Sequence, residues 1–206
     1  SYVNTSAEVK AESDYCCTSA NAVDVVRSIP AGREVLFLPD LFLGEWVRRE
    51  TGRTNMHLWL GECHVHGGIV ADDVDRARAL HPDAELLVHP ECACGSKCLL
   101  DLQSGRLDAA RTRVLSTEGM VRYAASAQAR RFLVATETGV LHRLHRQAPG
   151  KEFVAVRESA VCGYMKSITL EKVYRSLRDL VYPIVVDPDV ARRARVAIDR
   201  MISVGR

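Results

Sequence analysis

The stretch EVLFLPDLFLGEWV, residues 34–47, contains the pattern that decides the fold of this chain. Its apolar run at residues 35–38 has the length of a β-strand, and the lack of alternating polar residues predicts a strand buried on both faces. A polar turn around Asp40 then leads into residues with the spacing of a helix. The stretch therefore predicts a buried parallel strand that is followed at once by a helix.

A second copy of this pattern occurs in RFLVATETGVLHR, residues 131–143. Aligning the two stretches places Glu137 97 residues after Asp40. The segment CTSANAV, residues 17–23, matches LSTEGMV, residues 115–121, at a shift of 98. Similarity at a nearly constant shift is the signature of an internal repeat, so we expect a duplicated α/β unit. The alternative is the loose similarity that any two α/β segments share.

The same alignment places Cys162 99 residues after Cys63, so that each copy of the unit ends in one cysteine. The neighbours of Cys63 in GECHVHGG do not define its role, because a cysteine beside histidines is compatible with a metal ligand, a nucleophile or a strand end. The repeat instead favours a shared role for the two cysteines.

The rest of the chain alternates between strand-like and helix-like segments. Further buried strands are predicted at residues 86–88, 132–134 and 184–186. Helices are predicted at residues 7–15, 19–29, 43–51, 74–80, 118–128, 140–147, 169–180 and 189–204. Such alternation predicts an α/β fold, built from repeated three-layer αβα units with short parallel sheets.

Composition excludes several classes of protein. The chain has 206 residues, of which 47% are hydrophobic, so it can bury the core of one large or two small domains. Its 28 basic and 26 acidic residues are spread along the chain, which gives no basic arm for nucleic acid. The apolar runs are too short to span a bilayer, and no signal peptide is visible. We expect a soluble, cytoplasmic protein that binds neither nucleic acid nor membranes.

Polar residues cluster where ligands collect in parallel sheets, at the carboxyl ends of strands and at the N-termini of helices. Residues 2–4 and 89–91 follow predicted strands. The hydroxyl pairs Thr18-Ser19 and Ser116-Thr117 open predicted helices. Each pair is explained by ordinary helix capping, but equivalent positions in a repeat also favour a shared site for a carboxylate or phosphate.

The other cysteines lie outside this repeat pattern, and an odd total of seven makes a secreted disulfide framework improbable. The motif C-x-C-x3-C comprises Cys92, Cys94 and Cys98. It is compatible with a small zinc site or a second iron-sulfur site. Its spacing does not match the common C-x2-C zinc pattern, and only three candidate ligands lie close together. Cys16 and Cys17 are expected to be small buried apolar residues.

Several motifs together resemble quinolinate synthase, the iron-sulfur enzyme of NAD biosynthesis. They are YVNTSAEVKA, CTSANAV, LPDLFLG, GECHVH, HPEC, LSTEGM, ATETGVLHRL and CGYMKSITLEKV, in this order up to about residue 175. The resemblance implies α/β domains in a pseudo-threefold arrangement around a [4Fe-4S] cluster, each of three domains supplying one cysteine. Cys63 and Cys162 match the second and third ligands, so the first is expected upstream, in an N-terminal third that this sequence lacks.

The resemblance also implies a division of the chain. Residues 1–66 would form the second α/β unit of the family, and residues 67–165 the third, with a cysteine-containing insertion at 92–106. Because some members of the family carry a similar insertion, we expect Cys92, Cys94 and Cys98 to lie in a surface loop. Residues 166–206 would be a C-terminal helical segment that packs back on the first unit. Its apolar residues at helical spacing are expected to dock on a sheet edge or on the missing domain.

The implied reaction condenses iminoaspartate (iminosuccinate) with dihydroxyacetone phosphate to quinolinate, phosphate and water. It combines transferase and dehydratase chemistry, in which one iron without a protein ligand acts as a Lewis acid. The enzyme that makes iminoaspartate, L-aspartate oxidase or dehydrogenase, is a possible transient partner. Because the first domain is expected upstream, we do not expect this chain to be fully active in isolation.

The resemblance assigns roles to particular residues. Substrate-binding residues would be Tyr2, Val3, Asn4, Ser19, His89, Pro90, Glu91 and Thr117. Catalytic residues would be Glu91 as the acid-base group, His89 for positioning the substrate, and His66 facing the same cavity. His64 is assigned no role, and Lys166 is either a cation for the substrate or a solvated lysine.

Two alternatives from other classes remain open at this point. The chain can be an α/β domain that binds a carboxylate or phosphate without catalysis. It can also be a structural metal module centred on Cys92, Cys94 and Cys98.

Overall fold

The computed structural model describes residues 1–105 and 107–204 and contains two parallel sheets. The first sheet pairs β1 (Val35–Phe37) with β2 (Met56–Leu58). The second has the order β4-β3-β5-β6 and contains β3 (Glu85–Val88), β4 (Thr112–Val114), β5 (Arg131–Ala135) and β6 (Glu152–Ala155). The α/β class with short parallel sheets is therefore confirmed.

Helices connect the strands, and each of the eight predicted helical segments overlaps one observed helix. The helices are α1 (Ala7–Ala11), α2 (Ala22–Ser28), α3 (Leu41–Thr51), α4 (His64–Gly67), α5 (Ala71–Leu80), α6 (Cys94–Gln103), α7 (Thr117–Ser126), α8 (Val140–Gln147), α9 (Gly163–Lys166), α10 (Leu170–Asp179) and α11 (Pro188–Ser203), with a 3₁₀ turn at Ala109–Arg111. Polar side chains cap several of them, including Asp40 for α3 and Ser116 for α7. None of the helices in the described ranges is long and apolar enough to cross a membrane.

The second sheet forms the middle of three layers. Leu86 and Leu133 pack on one face with apolar residues of α5 and α6. Leu87 and Val134 pack on the opposite face with residues of α7 and α8. The strands predicted at 86–88 and 132–134 are thus buried on both faces, because helices cover both sides of the sheet.

The duplication is visible in the hydrogen bonding. Val35 pairs with Met56 in the first sheet, and the residues 97 positions later, Phe132 and Phe153, pair in the second. In the first unit, the amide of Cys17 donates to the carbonyl of Ser1. In the second unit, the amide of Leu115 donates to the carbonyl of Val88. Equivalent residue pairs therefore make equivalent backbone contacts in the two units.

Two predictions about strands are wrong. Residues 184–186 are not a strand, and the Ile184 and Val185 side chains are 88% and 91% exposed. Pro183 has no amide proton and Tyr182 has a φ of 63°, so the backbone is interrupted just before this run. In the first sheet, Leu36 of β1 is 65% exposed instead of buried, although the strand itself is present.

The exposure of Leu36 follows from a cleft beside β1. The cleft has a volume of about 710 Å³, and it separates β1 from residues 14–17. At the equivalent place in the second sheet, β3 lies between β4 and β5 and pairs with both. Leu133, the counterpart of Leu36, is consequently 0% exposed.

The two C-terminal helices differ in their packing. α11 packs against α1, with Ala197 and Met201 buried beside Cys16. The amide of Cys16 donates to the carbonyl of Ala197. In α10, by contrast, apolar side chains such as Leu170 and Leu177 are largely exposed.

Candidate active site

Two short helices begin directly after the paired cysteines. Cys63 is the N-cap residue of α4, and Cys162 is the N-cap residue of α9. Both thiols are half-buried, whereas Cys16 and Cys17 are buried, as predicted. The ring of His64 meets the ring of Tyr164 edge-on at 5.5 Å, so the two helices are neighbours. His64 itself is exposed, away from the buried histidines.

A buried polar cluster lies beside Cys63. His66 Nε2 lies 2.8 Å from the hydroxyl of Thr136, and the His66 ring stacks on His89 with centroids 4.4 Å apart. His66 Nδ1 and Glu91 Oε2 are 3.3 Å apart, an ion-pair contact without the alignment of a hydrogen bond. Within the described ranges, His66 Nδ1 and Glu91 Oε1 are buried atoms with no hydrogen-bond partner. Orphaned atoms of this kind indicate a site for a ligand.

The charges in the cluster are set by burial and by mutual contact. Burial alone lowers the pKa of His66, but Cys63 and Glu91 outweigh it and raise that pKa from 6.5 to about 9. Burial alone raises the pKa of Glu91, but the two histidines outweigh it and hold the pKa below its usual value. His89 has no such compensation, and burial lowers its pKa to about 4. At neutral pH, Glu91 is a carboxylate, His66 an imidazolium and His89 neutral.

Cys63 has the properties of a metal-binding thiol. Interaction with His66 is the largest influence on Cys63 and lowers the pKa of its thiol despite burial. One ligand atom each from Cys63, His66 and Glu91 lies within 4.8 Å of the others. Thiolate, imidazole and carboxylate are all common metal ligands, so this group can hold a metal.

Tyr2 lies beside this cluster, and Val3 and Asn4 follow it in the chain. Burial, with the negative charge of Glu91, raises the pKa of Tyr2 to about 12, so its hydroxyl stays protonated. The side chain of Ser19 also interacts with that hydroxyl. The amide of Val3 donates to the carbonyl of Cys17, which fixes the backbone, and Asn4 is exposed.

The two hydroxyl pairs are only partly explained by capping. Ser116 caps α7 by accepting from the amide of Gly119, and Thr117 is the exposed first residue of that helix. Thr18 bonds to Asn21, the N-cap residue of α2, which leaves Ser19 facing Tyr2. The exposed Thr117 is therefore accessible to a ligand, whereas Ser19 lies against Tyr2.

The prediction of a surface loop for the C-x-C-x3-C motif is wrong. Cys92, Cys94 and Cys98 are at most 3% exposed, and α6 starts at Cys94. Cys92 and Cys94 form a disulfide. The apolar cluster around β3 and β5 includes all three, which is why they are buried. Because disulfide sulfurs are not thiolate ligands, this geometry does not favour a metal module. Residue 106, the end of the predicted insertion, lies outside the described residues.

Sequence reasoning did not identify Thr136 as a member of the site. Thr136 directly follows β5, and its side chain is 2% exposed. Pro90 and Glu91 are buried after β3 in the same way. A polar residue just beyond the carboxyl end of a buried strand was the signal that would have found it.

The comparisons with known proteins agree on one family. The family described as quinolinate synthetase A protein matches residues 1–203. Quinolinate synthase from Pyrobaculum aerophilum is 52% identical over 200 residues, which cover 97% of this chain and 64% of that protein. The Mycobacterium sp. (strain KMS) enzyme is 56% identical over the whole chain, which covers 61% of its own length. The chain thus spans about 60% of the length of these curated relatives.

Proposed function

This chain belongs to the quinolinate synthase family, and on that premise we propose that it forms part of an enzyme that makes quinolinate for NAD biosynthesis. The reaction would condense iminoaspartate with dihydroxyacetone phosphate and release phosphate and water. The observation that carries this proposal is the pair of equivalent cysteines, of which Cys63 adjoins the buried His66–Glu91 pair.

The residues fit an iron-sulfur cluster. Cys63 and Cys162 are reduced, half-buried thiols at matching helix starts, and thiolates are the usual ligands of such clusters. They would hold a [4Fe-4S] cluster together with a third cysteine from the remainder of the longer protein. When bound, the cluster would supply a Lewis-acidic iron. The unpartnered Glu91 Oε1 is compatible with a ligand beside it.

Proton transfer would be performed by Glu91. It is a carboxylate at neutral pH, and its Oε1 has no hydrogen-bond partner in the described part of the chain, so this atom is available to accept a substrate proton. His66, as an imidazolium, would stabilise that carboxylate. The hydroxyl of Thr136 would fix the orientation of the His66 ring.

His89 would position the substrate as a hydrogen-bond donor. Its Nδ1 accepts from the amide of Glu91 at 3.4 Å. In a neutral imidazole the other nitrogen then carries the proton, so Nε2–H would donate to the substrate. The low pKa of His89 keeps it neutral throughout the physiological range.

The anionic groups of the substrate would be bound by hydroxyls and amides. Tyr2 and Ser19 would contribute from the first unit, with Val3 and Asn4 beside them. Thr117 would contribute from the N-terminus of α7, where free amides favour an anion. Lys166 is committed in part to Glu137, since its Nζ lies 3.5 Å from Glu137 Oε1.

We also propose that the chain divides into residues 1–66, 67–165 and 166–206. We further propose a cytoplasmic location and transient contact with an enzyme that supplies iminoaspartate. The matching hydrogen bonds of the two units support a division into two α/β units. The packing of α11 on α1 supports a tail that returns to the first unit.

Anaerobic reconstitution with iron and sulfide, in the full-length gene product, tests the proposal. We expect a brown protein that loses its cluster in Cys63→Ala and in Cys162→Ala but retains it in the matched control Cys17→Ala. Loss of metal only in Cys92→Ala would instead support a metal module. A cluster without quinolinate formation would support a binding role, and an unaffected cluster in Cys63→Ala would contradict the proposal.

A further inference from the structure

Each cysteine ligand is held by a buried carboxylate at the same position of the repeat. Asp40 is 2% exposed, and its two oxygens have separate partners. Oδ1 accepts from the amide of Leu43 at 2.8 Å, which caps α3. Oδ2 accepts from the amide of Cys63 at 3.0 Å. One side chain thus joins the start of α3 to the start of α4.

Glu137 makes the equivalent connection in the second unit. It is 8% exposed. Oε2 accepts from the amide of Gly139 at 2.7 Å, and Oε1 accepts from the amide of Cys162 at 3.4 Å. The carboxylate therefore joins the turn before α8 to the start of α9. An aspartate and a glutamate of different length produce the same connection.

The outcome at the two cysteines is nearly the same backbone conformation. Cys63 has φ −73° and ψ 116°, and Cys162 has φ −85° and ψ 105°. With the amide fixed and these dihedral angles set, the direction of each Cα–Cβ bond is set too. The two thiols therefore project from their units in equivalent ways.

A carboxylate is the appropriate group for this connection. Each acid receives two N–H donors, one on each oxygen. An asparagine or glutamine amide has one acceptor oxygen, and its NH₂ group would face the second donor. A neutral substitute of the same shape can therefore keep at most one of the two hydrogen bonds.

We propose that Asp40 and Glu137 are positioning residues that orient Cys63 and Cys162 as metal ligands. This inference rests on the proposed function, in which both thiols bind one cluster. Neither carboxylate contacts the substrate in this view, and each acts through the amide of its own cysteine.

Cadmium affinity of this chain tests the orientation of Cys63 without a cluster. Cd²⁺ alone, followed by its thiolate charge-transfer absorption, probes the group of Cys63, His66 and Glu91. We expect Asp40→Ala to weaken Cd²⁺ binding about tenfold and Asp40→Asn to weaken it less, because asparagine keeps one hydrogen bond. Glu137→Ala should leave this affinity within twofold of the wild type, since it holds the other cysteine.

Asp73→Asn is the matched control for general destabilisation. Asp73 is 5% exposed and caps α5 by accepting from the amide of Val70, without contact to either cysteine. We expect it to lower stability and to leave Cd²⁺ affinity unchanged. Equal Cd²⁺ affinity of Asp40→Ala and the wild type, or an equal loss in Asp73→Asn, would overturn the proposal.

Cluster retention in the full-length gene product tests both acids together. Release of iron to a chelator should be about tenfold faster in Asp40→Ala and in Glu137→Ala than in Asp73→Asn, and the electron paramagnetic resonance signal of the reduced cluster should shift. Unchanged release and an unchanged spectrum would overturn the proposal. If Cys63→Ala leaves the cluster intact, the proposed function fails, while a Cd²⁺ effect confined to Asp40 still supports the positioning of that thiol.

Discussion

Replacing Thr136 with valine tests whether the buried His66 depends on a single hydroxyl. Thr136 Oγ1 lies 2.8 Å from His66 Nε2, and both side chains are buried. Valine has nearly the shape of threonine but no hydroxyl, so the change removes the hydrogen bond with little change in volume. The imidazole nitrogen is then left buried without a partner.

The expected cost follows from that unmatched nitrogen. Leaving a buried polar group unsatisfied costs about 1–3 kcal/mol, and more when the group is charged. His66 is an imidazolium at neutral pH, and its Nδ1 also lacks an aligned partner in the described ranges. We therefore expect Thr136→Val to lower the free energy of unfolding by about 2–3 kcal/mol, measured by urea denaturation at an unchanged m-value.

Thr138→Val provides the control, because it makes the same chemical change two residues away. Thr138 uses its amide to reach the carbonyl of Ala160, and its hydroxyl has no hydrogen bond among the described residues. Its substitution should change stability by less than about 0.5 kcal/mol. Equal effects of the two valines would refute the reasoning, as would a full Thr136→Val effect in a His66→Ala background, where the nitrogen is absent.

Three further predictions concern the rest of the molecule. At pH 7, iodoacetamide should label Cys63 at least about tenfold faster than Cys17, as followed by mass spectrometry. The reason is that His66 lowers the thiol pKa of Cys63, whereas burial raises the thiol pKa of Cys17 to about 12. Similar labelling rates would contradict these pKa shifts. Leu133→Ala should lower the free energy of unfolding by about 2–5 kcal/mol, and Leu36→Ala by less than about 0.5 kcal/mol. The two residues are equivalent in the repeat, but only Leu133 is fully buried. Equal losses in urea denaturation would mean that Leu36 of β1 is covered. Arg53→Ala should lower the free energy of unfolding by about 2–3 kcal/mol in the same assay, because the Arg53 guanidinium donates to the carbonyls that end α2. A loss below about 0.5 kcal/mol would show that water replaces the guanidinium at these carbonyls.

The fold was predictable from the sequence wherever the order of apolar and polar residues reflects what packs around the segment. The strands at β3 and β5 were found because helices cover both faces, so every position is apolar. The shift between Asp40 and Glu137 was predictable because both residues start the same turn. The run at 184–186 has equally apolar residues, but a strand also needs a partner strand, which composition does not reveal.

The site was predictable to a similar extent. His89 and Glu91 were expected at a strand end, and they lie there in contact with His66. The equivalence of Cys63 and Cys162 came from the repeat alone. The disulfide between Cys92 and Cys94 and the role of Thr136 were not foreseen, because each depends on which side chains the tertiary fold brings together.

The cleft beside β1 has a thermodynamic consequence. Its walls include residues 14–17 on one side and β1 on the other, and in the described part of the chain β1 pairs only with β2. An extended segment that paired with the free edge of β1 would gain backbone hydrogen bonds and cover Leu36. A molecule that bound there only in the folded state would stabilise the first unit, by an amount that rises with its free concentration.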